Sequence, residues 1–259
     1  MILTDTHTHL YLPEFDEDRA AVVQRAKEQG IQKCILPNID SDSIPQMKQM
    51  FDEFPDFCFR AMGLHPTSVK ENFEEELAIA LDELQTGKYI AVGEMGIDLY
   101  WDKTFYEQQK QAFRTQAKWA TDFKLPLIIH SRDSFEEIFE LMDDLWTPQL
   151  RGVFHCFTGT RQQANKIVNY YGFKLGLGGV LSFKNSTLRE EIKEIDTKHF
   201  ILETDAPFLA PAPKRGKRNE SAYITLVAEK LAEVKNCSVE EIAEMTTQNA
   251  MDLFNFATK

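Results

Sequence analysis

The chain has 259 residues, of which 43% are hydrophobic and 27% are charged, a composition typical of a folded globular protein. Its formal net charge of −12 argues against a broad electrostatic grip on nucleic acid, so any phosphate substrate has to be held by local cations and metal ions. No apolar stretch is long enough to cross a bilayer and no secretory signal pattern is present, so we expect a cytoplasmic protein that does not associate with membranes.

Short apolar runs alternate with amphipathic helical segments from end to end. We predict strands at residues 2–6, 31–37, 57–63, 89–93, 126–129, 152–154, 173–177 and 200–204. A strand–helix alternation sustained eight times closes most naturally into a (β/α)8 TIM barrel, and a doubly wound open sheet is the alternative. No linker or shift in composition interrupts the series, so we predict a single domain over residues 1–259.

Three helical segments show clear patterns. The first has apolar residues at helical spacing, namely Phe135, Ile138, Phe139, Met142 and Leu145. Asp133 stands three residues before Glu136, which predicts a cap at the start of this helix. Two extra helices follow the last strand, the former with a stripe formed by Ile224, Val227, Leu231 and Val234. The latter starts with a capping box of Ser238 and Glu241, and we expect both to pack outside the barrel and hold it closed.

The motif Asp5-Thr6-His7-Thr8-His9 stands at the carboxyl end of the first predicted strand. Residues two apart in a strand share a face, so His7 and His9 point the same way and suit one bound cation. Such pairs also occur by chance on exposed strands, so residues elsewhere in the chain have to show whether this pair binds a metal ion. Asp5 lies one pleat deeper, where it either accepts a hydrogen bond from a ligand imidazole or is a buried polar core residue.

Polar residues also follow other predicted strands, where a barrel builds its active site. Glu94 follows the fourth strand, His130 the fifth and Asp205 the eighth, while His155 stands at the end of the sixth. Together with the first motif they supply four imidazoles and two carboxylates, enough for a two-metal site with a bridging carboxylate. We therefore predict six metal ligands, namely His7, His9, Glu94, His130, His155 and Asp205.

Several further residues are candidates for contact with a substrate. His65 follows the third strand, and we expect it to bind substrate or donate a proton, with the capping of a turn as the alternative. His199 begins the eighth strand at the opposite end and is expected to be structural. Arg132, Arg215 and Arg218 lie after strands and are candidate phosphate contacts, although a basic loop that is merely solvated is the alternative.

Six ordered motifs resemble those of the TatD-related metal-dependent hydrolases and deoxyribonucleases, a (β/α)8 branch of the amidohydrolase superfamily. These motifs are Asp5-Thr6-His7-Thr8-His9-Leu10, Gly63-Leu64-His65-Pro66, Val92-Gly93-Glu94-Met95-Gly96-Ile97-Asp98, Pro126-Leu127-Ile128-Ile129-His130-Ser131-Arg132, His155-Cys156-Phe157-Thr158-Gly159 and Glu203-Thr204-Asp205-Ala206-Pro207-Phe208-Leu209-Ala210-Pro211. The resemblance covers essentially the whole chain. It implies that the six predicted ligands hold one or two divalent ions, with Mg, Mn and Zn as candidates.

The resemblance also implies a deoxyribonuclease that trims single-stranded DNA from its 3′ end. No obligate protein partner is evident from the sequence. We expect phosphodiester hydrolysis through attack of a metal-bound hydroxide, with Asp205 orienting the water, Glu94 bridging the ions and His65 assisting. Two alternatives stay open. The same site suits an amidohydrolase-type enzyme acting on a small amide, ester or lactone, and a closed metal site suits a non-enzymatic scaffold.

Overall fold

The computed structural model describes residues 1–257 and shows a barrel of parallel strands surrounded by helices. Within these residues eight strands pair in chain order: β1 Leu3–Asp5, β2 Ile31–Pro37, β3 Cys58–Met62, β4 Ala91–Asp98, β5 Leu127–Arg132, β6 Gly152–Phe154, β7 Phe173–Leu177 and β8 Phe200–Leu202. The same part of the chain has nine α-helices: α1 Arg19–Glu28, α2 Ile44–Glu53, α3 Phe73–Gln85, α4 Tyr106–Phe123, α5 Phe135–Leu145, α6 Arg161–Asn169, α7 Leu188–Ile192, α8 Ile224–Lys235 and α9 Val239–Leu253.

This architecture confirms the predicted TIM barrel. The single domain over residues 1–259 stays a prediction, and its last two residues, Thr258 and Lys259, lie outside the described residues. Within residues 1–257, none of the helices combines the length and the apolar character needed to span a membrane.

Two strands run further than the sequence predicted. β4 continues to Asp98 and β5 to Arg132, and the two strands pair from Met95 with Ile129 to Asp98 with Arg132, after an irregularity in register between Val92 and Met95. The extension requires glycine at position 96, because a Cβ atom there would lie 2.0 Å from the carbonyl oxygen of His130. The apolar pattern ends at Gly93, which is why the prediction stopped there. Glu94 consequently lies inside a strand of the barrel wall and not in a loop.

The barrel closes where β8 meets β1, through main-chain hydrogen bonds at their carboxyl ends. The amide of Thr6 donates to the carbonyl of Leu202 over 3.1 Å, and the amide of Asp205 donates to the carbonyl of His7 over 2.9 Å. These bonds fix the backbones of two predicted ligands, His7 and Asp205, against each other. Closure of the barrel therefore also builds one side of the site.

The Asp5 side chain also links β1 to β8. Its carboxylate accepts hydrogen bonds from the amide and the hydroxyl of Thr204, at 3.0 and 2.7 Å. Its contact with His7 is to the main-chain amide, at 3.4 Å, and not to the imidazole. Of the two expectations for Asp5, the structure supports the buried polar core residue, which joins the ends of β1 and β8.

The starts of two helices show one correct and one wrong prediction. α9 begins with the predicted capping box, in which the Ser238 side chain accepts from the amide of Glu241 and the Glu241 side chain accepts from the amide of Ser238. The predicted cap at Asp133 is wrong, because Ser134 directly precedes α5. The Ser134 side chain makes no capping hydrogen bond to the helix start, and its hydroxyl donates to the carbonyl of Ile97 over 2.6 Å.

The end of α9 and the residues that follow it pack into the barrel, a contact that was not predicted from the sequence. Leu253, Phe254 and Phe256 are buried against apolar side chains of several strands, among them Ile128. Side chains two apart in a strand share a face, so Ile128 and His130 face the same side. The barrel interior is therefore apolar at the level of Ile128 and becomes polar one pleat further along the strands.

We expect Asn249→Ala to weaken the attachment of α9 to the barrel. The Asn249 amide group donates to the carbonyls of Thr197 and Phe200, at 2.9 and 2.8 Å, and its loss would leave both acceptors without this partner. We expect the free energy of unfolding in urea to fall by about 1–3 kcal/mol. Gln248→Ala, which removes an exposed hydrogen bond to Asp252 on the same helix, should change it by less than about 0.5 kcal/mol. Equal stability of both variants would contradict this role.

Candidate metal centre

Glu94 lies at the centre of a buried polar cluster at the carboxyl end of the barrel. Its Oε2 atom is 3.1 Å from His7 Nε2 and 3.6 Å from His9 Nε2. Its Oε1 atom faces three other imidazoles, at 2.9 Å from His130 Nδ1, 3.2 Å from His155 Nε2 and 3.3 Å from His65 Nε2. The two oxygens of one carboxylate therefore face two separate sets of ring nitrogens. The Glu94 cluster is defined as Glu94, these five histidines and Asp205.

Asp205 completes the first of these two sets. Its Oδ1 atom is 3.6 Å from His9 Nε2 and 3.8 Å from His7 Nε2. The two imidazole nitrogens are themselves only 3.2 Å apart. Ring nitrogens at this separation repel each other unless a proton or a cation lies between them. The arrangement of His7, His9 and Asp205 therefore suits a shared cation.

The structure thus brings all six predicted ligands together and adds His65 to them. His199 lies elsewhere, in a short 3-10 helix that precedes β8. Three groups in the described chain have ligand atoms close enough to hold one ion, namely His7 with His9 and Glu94, His7 with His155 and Glu203, and His65 with Glu94 and His130. Two of these three groups include Glu94, as expected for a residue between two sites.

The carboxylates of the cluster are ionised despite their burial. Burial alone opposes ionisation of Glu94, but the surrounding imidazoles hold its pKa well below the usual value. Burial also opposes ionisation of Asp205, but the nearby His9, His155 and His7 rings together outweigh it, so that the pKa of Asp205 is lowered. Burial lowers the pKa of His7 and of His65, which keeps both rings neutral. Burial opposes the charged form of His130 and His155 as well, but neighbouring carboxylates raise the pKa of both rings. A divalent cation therefore has to displace a proton from these two rings when it binds.

Hydrogen bonds behind two of the imidazoles determine which ring nitrogen faces the cluster. His155 Nδ1 is 3.2 Å from Glu203 Oε1, and His130 Nε2 is 3.0 Å from Asp98 Oδ2. An ionised carboxylate can only accept, so each of these nitrogens carries a proton and donates it. In a neutral ring the other nitrogen then has a free lone pair, and in both residues that nitrogen faces Glu94.

His9 is oriented in the same way by a tyrosine. The Tyr11 hydroxyl donates to the carbonyl of Pro37 over 2.6 Å, so its oxygen is left to accept from His9 Nδ1 at 2.9 Å. His9 Nε2 consequently offers its lone pair to the cluster. Three of the predicted ligands are therefore held, by three different partners, in the tautomer that binds a cation.

His65 has the opposite tautomer. Its Nδ1 atom accepts a hydrogen bond from the amide of Thr67 at 3.1 Å, and an amide can only donate. In the neutral ring the proton is therefore on Nε2, the atom that faces Glu94. His65 thus presents an N–H donor to the cluster, which suits a contact with a phosphate oxygen better than a bond to a metal ion.

Sequence reasoning missed Tyr11, Asp98 and Glu203. Each of them stands an even number of residues from a predicted ligand, since Tyr11 follows His9 by two, Glu203 precedes Asp205 by two and Asp98 follows Glu94 by four. Alternation along an extended strand places Glu94 and Asp98, both on β4, on one face, whereas Tyr11 and Glu203 lie beyond the ends of their strands. Asp98 was missed because the fourth strand was predicted to end at residue 93.

The three arginines predicted to bind substrate have different surroundings. Arg218 makes two bonds of 2.8 Å to the carboxylate of Asp18, which gives it a structural partner far along the chain. Arg215 donates to the carbonyl of Ala210 over 3.1 Å and lies against the ring of Phe183. Arg132 lies two residues beyond His130, at the exposed end of β5. Of the three arginines, Arg132 lies nearest in sequence to a residue of the Glu94 cluster.

The model of the family described as TatD related DNase matches residues 4–255. A hydrolase from Bacillus subtilis (strain 168), named "Uncharacterized metal-dependent hydrolase YabD", is 39% identical over 98% of this chain and 99% of its own length. A protein from Erwinia tasmaniensis, named "3'-5' ssDNA/RNA exonuclease TatD", is 30% identical over 97% of this chain and 99% of its own length.

A solved structure gives the same result as these sequences. The crystal structure of YJJV, a TatD homolog from Escherichia coli K12, superposes with a TM-score of 0.88. It has 32% sequence identity, and the match covers 98% of each chain. The family model, the relatives and the buried set of histidines and carboxylates agree with one another. The chain belongs to the TatD-related DNase family and is a metal-dependent hydrolase.

Proposed function

We propose that the chain is a nuclease that hydrolyses the phosphodiester bonds of single-stranded DNA from the 3′ end. The observation that carries this proposal is the position of Glu94, whose two oxygens face separate sets of imidazoles. A carboxylate shared by two cations is a recurring arrangement in enzymes that cleave phosphate esters. Relatives named as 3′–5′ exonucleases for single-stranded DNA and RNA support the choice of substrate.

The residues of the Glu94 cluster fit one or two divalent ions, with Mg, Mn and Zn as candidates. His7, His9 and Asp205 would hold one ion, His130 and His155 the other, and Glu94 would contact both. The fit rests on the close approach of the His7 and His9 ring nitrogens, and on the bonds that leave lone pairs of His9, His130 and His155 facing inward. Bound cations would polarise the phosphoryl group and lower the pKa of the attacking water.

The remaining steps fall to side chains of the protein. Asp205 is ionised and its side chain is partly exposed, so it is placed to accept a proton from the attacking water. His65 presents an N–H group to the cluster, and we assign it the protonation of the leaving oxygen or a bond to the phosphate. Arg132 binds a phosphate oxygen on the solvent side, since its guanidinium has no carboxylate partner within residues 1–257.

We expect Asp98→Asn to weaken metal binding while the protein remains folded. The amides of Tyr100 and Trp101 keep the side-chain oxygen on their side, so the new NH₂ group would face His130 Nε2. His130 would then carry its proton on Nδ1, toward Glu94, and lose its lone pair there. We expect the affinity for Mn²⁺ or Zn²⁺, measured by chelator competition, to fall about 10- to 100-fold.

Asp102→Asn is the matched control for this prediction. Asp102 lies four residues further along the chain, in the loop after β4, but it contacts the amide of Thr104 and the ammonium group of Lys70. Its replacement should leave the metal affinity unchanged. If both variants bind metal as the wild type does, Asp98 does not set the tautomer of His130.

Hydrolysis of a small amide, ester or lactone is the second candidate function. The net charge of −12 favours it, because an acidic protein repels a polyanion at long range. Metal-free protein should be resupplied with each cation in turn and given end-labelled single- and double-stranded DNA and RNA, and in parallel a panel of lactones and amides. We expect stepwise shortening of single-stranded DNA from the 3′ end. Intact oligonucleotides together with turnover of a lactone or an amide would refute the nuclease proposal, and no turnover at all would favour the scaffold.

A further inference from the structure

Two large aromatic side chains beside the Glu94 cluster are exposed to solvent. Tyr100 and Trp101 are 53% and 69% exposed, and their rings meet edge to face with centroids 4.9 Å apart. They lie in the loop that follows β4, the strand that carries Glu94. Neither ring is needed to fill the core at this exposure. Adjacent exposed rings at the mouth of a barrel are typical of a surface that binds a flat ligand.

The backbone that carries this aromatic pair is tied to the Glu94 cluster by Asp98. The Oδ1 atom of Asp98 accepts from the amides of Tyr100 and Trp101, at 3.0 and 3.1 Å. Its Oδ2 atom contacts His130, as described above. A single buried carboxylate therefore fixes both a candidate ligand and the turn that presents the rings. The aromatic pair has a defined position relative to the cluster.

Arg132 adds a cation to the aromatic pair. Its guanidinium carbon lies 3.8 Å from the ring centroid of Tyr100 and 5.2 Å from that of Trp101. A guanidinium that stacks on a ring keeps its N–H groups directed outward in its own plane, where they can bind a phosphate. An aromatic ring that can stack on a base therefore lies next to N–H groups that can donate to a phosphate.

We propose that the exposed ring of Trp101 stacks on one nucleobase of a single-stranded nucleic acid, with the perpendicular Tyr100 ring supporting Trp101 from the side and Arg132 on an adjoining phosphate. This inference rests on the proposed nuclease function and states how that site holds its substrate. The charge of the chain gives the physical reason, since a net charge of −12 provides no long-range attraction for a polyanion. Affinity must then come from short-range contacts, and stacking on an aromatic ring accepts any base.

Trp101→Ala tests this inference, with Tyr171→Ala as the matched control. Tyr171 is 77% exposed but precedes β7, at the opposite end of the barrel. Metal-loaded protein should be titrated with a fluorescent single-stranded oligonucleotide whose phosphorothioate linkages resist cleavage. We expect Trp101→Ala to weaken binding roughly 5- to 100-fold and to raise KM correspondingly, with kcat nearly unchanged. Trp101→Phe should retain most of the affinity, and Tyr171→Ala all of it.

Oligonucleotides that lack one base near the 3′ end make the test specific for stacking. In the wild type, removal of the base that contacts Trp101 should reduce affinity about as much as Trp101→Ala does. In Trp101→Ala the same abasic position should cause no further loss. Wild-type affinity in Trp101→Ala, or equal losses from the abasic position in both proteins, would overturn the inference while the nuclease proposal stands. A wild type that neither binds nor cleaves any oligonucleotide would overturn both.

Discussion

Replacing Glu94 by glutamine is expected to abolish tight metal binding and to lower phosphodiester hydrolysis by about 10³-fold or more. Glutamine has the shape of glutamate but only one oxygen. Its NH₂ group would face either the pair His7 and His9 or the set of His65, His130 and His155, and it would repel a cation there. The variant tests whether one carboxylate serves both sets of imidazoles. The measurements are bound metal per chain after dialysis and kcat on a labelled oligonucleotide.

Glu107→Gln serves as the control for this variant. Glu107 is an exposed carboxylate at the start of α4, paired only with Lys110 in the described part of the chain. Its loss should change neither metal content nor turnover. Circular dichroism should show that both variants are folded. A folded Glu94→Gln protein that keeps its metal and its turnover would exclude Glu94 as the shared ligand.

Asp205→Asn is expected to reduce nuclease turnover by about 10²-fold or more, the scale of a lost proton acceptor. Asp205 has a φ of 56°, in the left-handed region, and asparagine tolerates this region nearly as well as aspartate does. The amide of residue 205 would still donate to the carbonyl of His7, so the seam between β1 and β8 should stay closed. The variant therefore removes the negative charge without disturbing the backbone. The measurement is kcat at saturating metal.

The matched control is Asp133→Asn, because Asp133 also has a left-handed backbone, with φ at 54°, and is exposed. It should retain wild-type turnover. Near wild-type turnover in folded Asp205→Asn would instead remove Asp205 from the chemistry and transfer the role of proton acceptor to another group of the cluster.

The candidate ligands were predictable because barrel topology converts sequence order into spatial position. His7 and His9 share a face by strand alternation, and His130 and His155 each stand at the carboxyl end of an apolar run. The residue type and the strand end were therefore enough to bring them together. Glu94 was assigned to the correct face of the barrel. The continuation of β4 was not predicted, because the glycines around Glu94 interrupt the apolar pattern.

The partners that orient the ligands could not be predicted, because they depend on contacts between distant elements. Tyr11 orients His9 only because the carbonyl of Pro37, on β2, takes the tyrosine proton. Arg218 lies after β8 as a phosphate contact would, but Asp18, 200 positions earlier in the chain, holds its guanidinium. Sequence pattern fixes which face a side chain lies on, whereas the partner of a long side chain depends on the folded surroundings.

Anomalous diffraction from crystals of the protein loaded with Mn²⁺ would test the central claim most directly, because it locates each ion without reference to activity. We predict an ion on each side of Glu94, one in contact with His7 and His9 and the other in contact with His130 and His155. Crystals of protein that is active with Mn²⁺ but shows no anomalous peak at Glu94 would contradict the account.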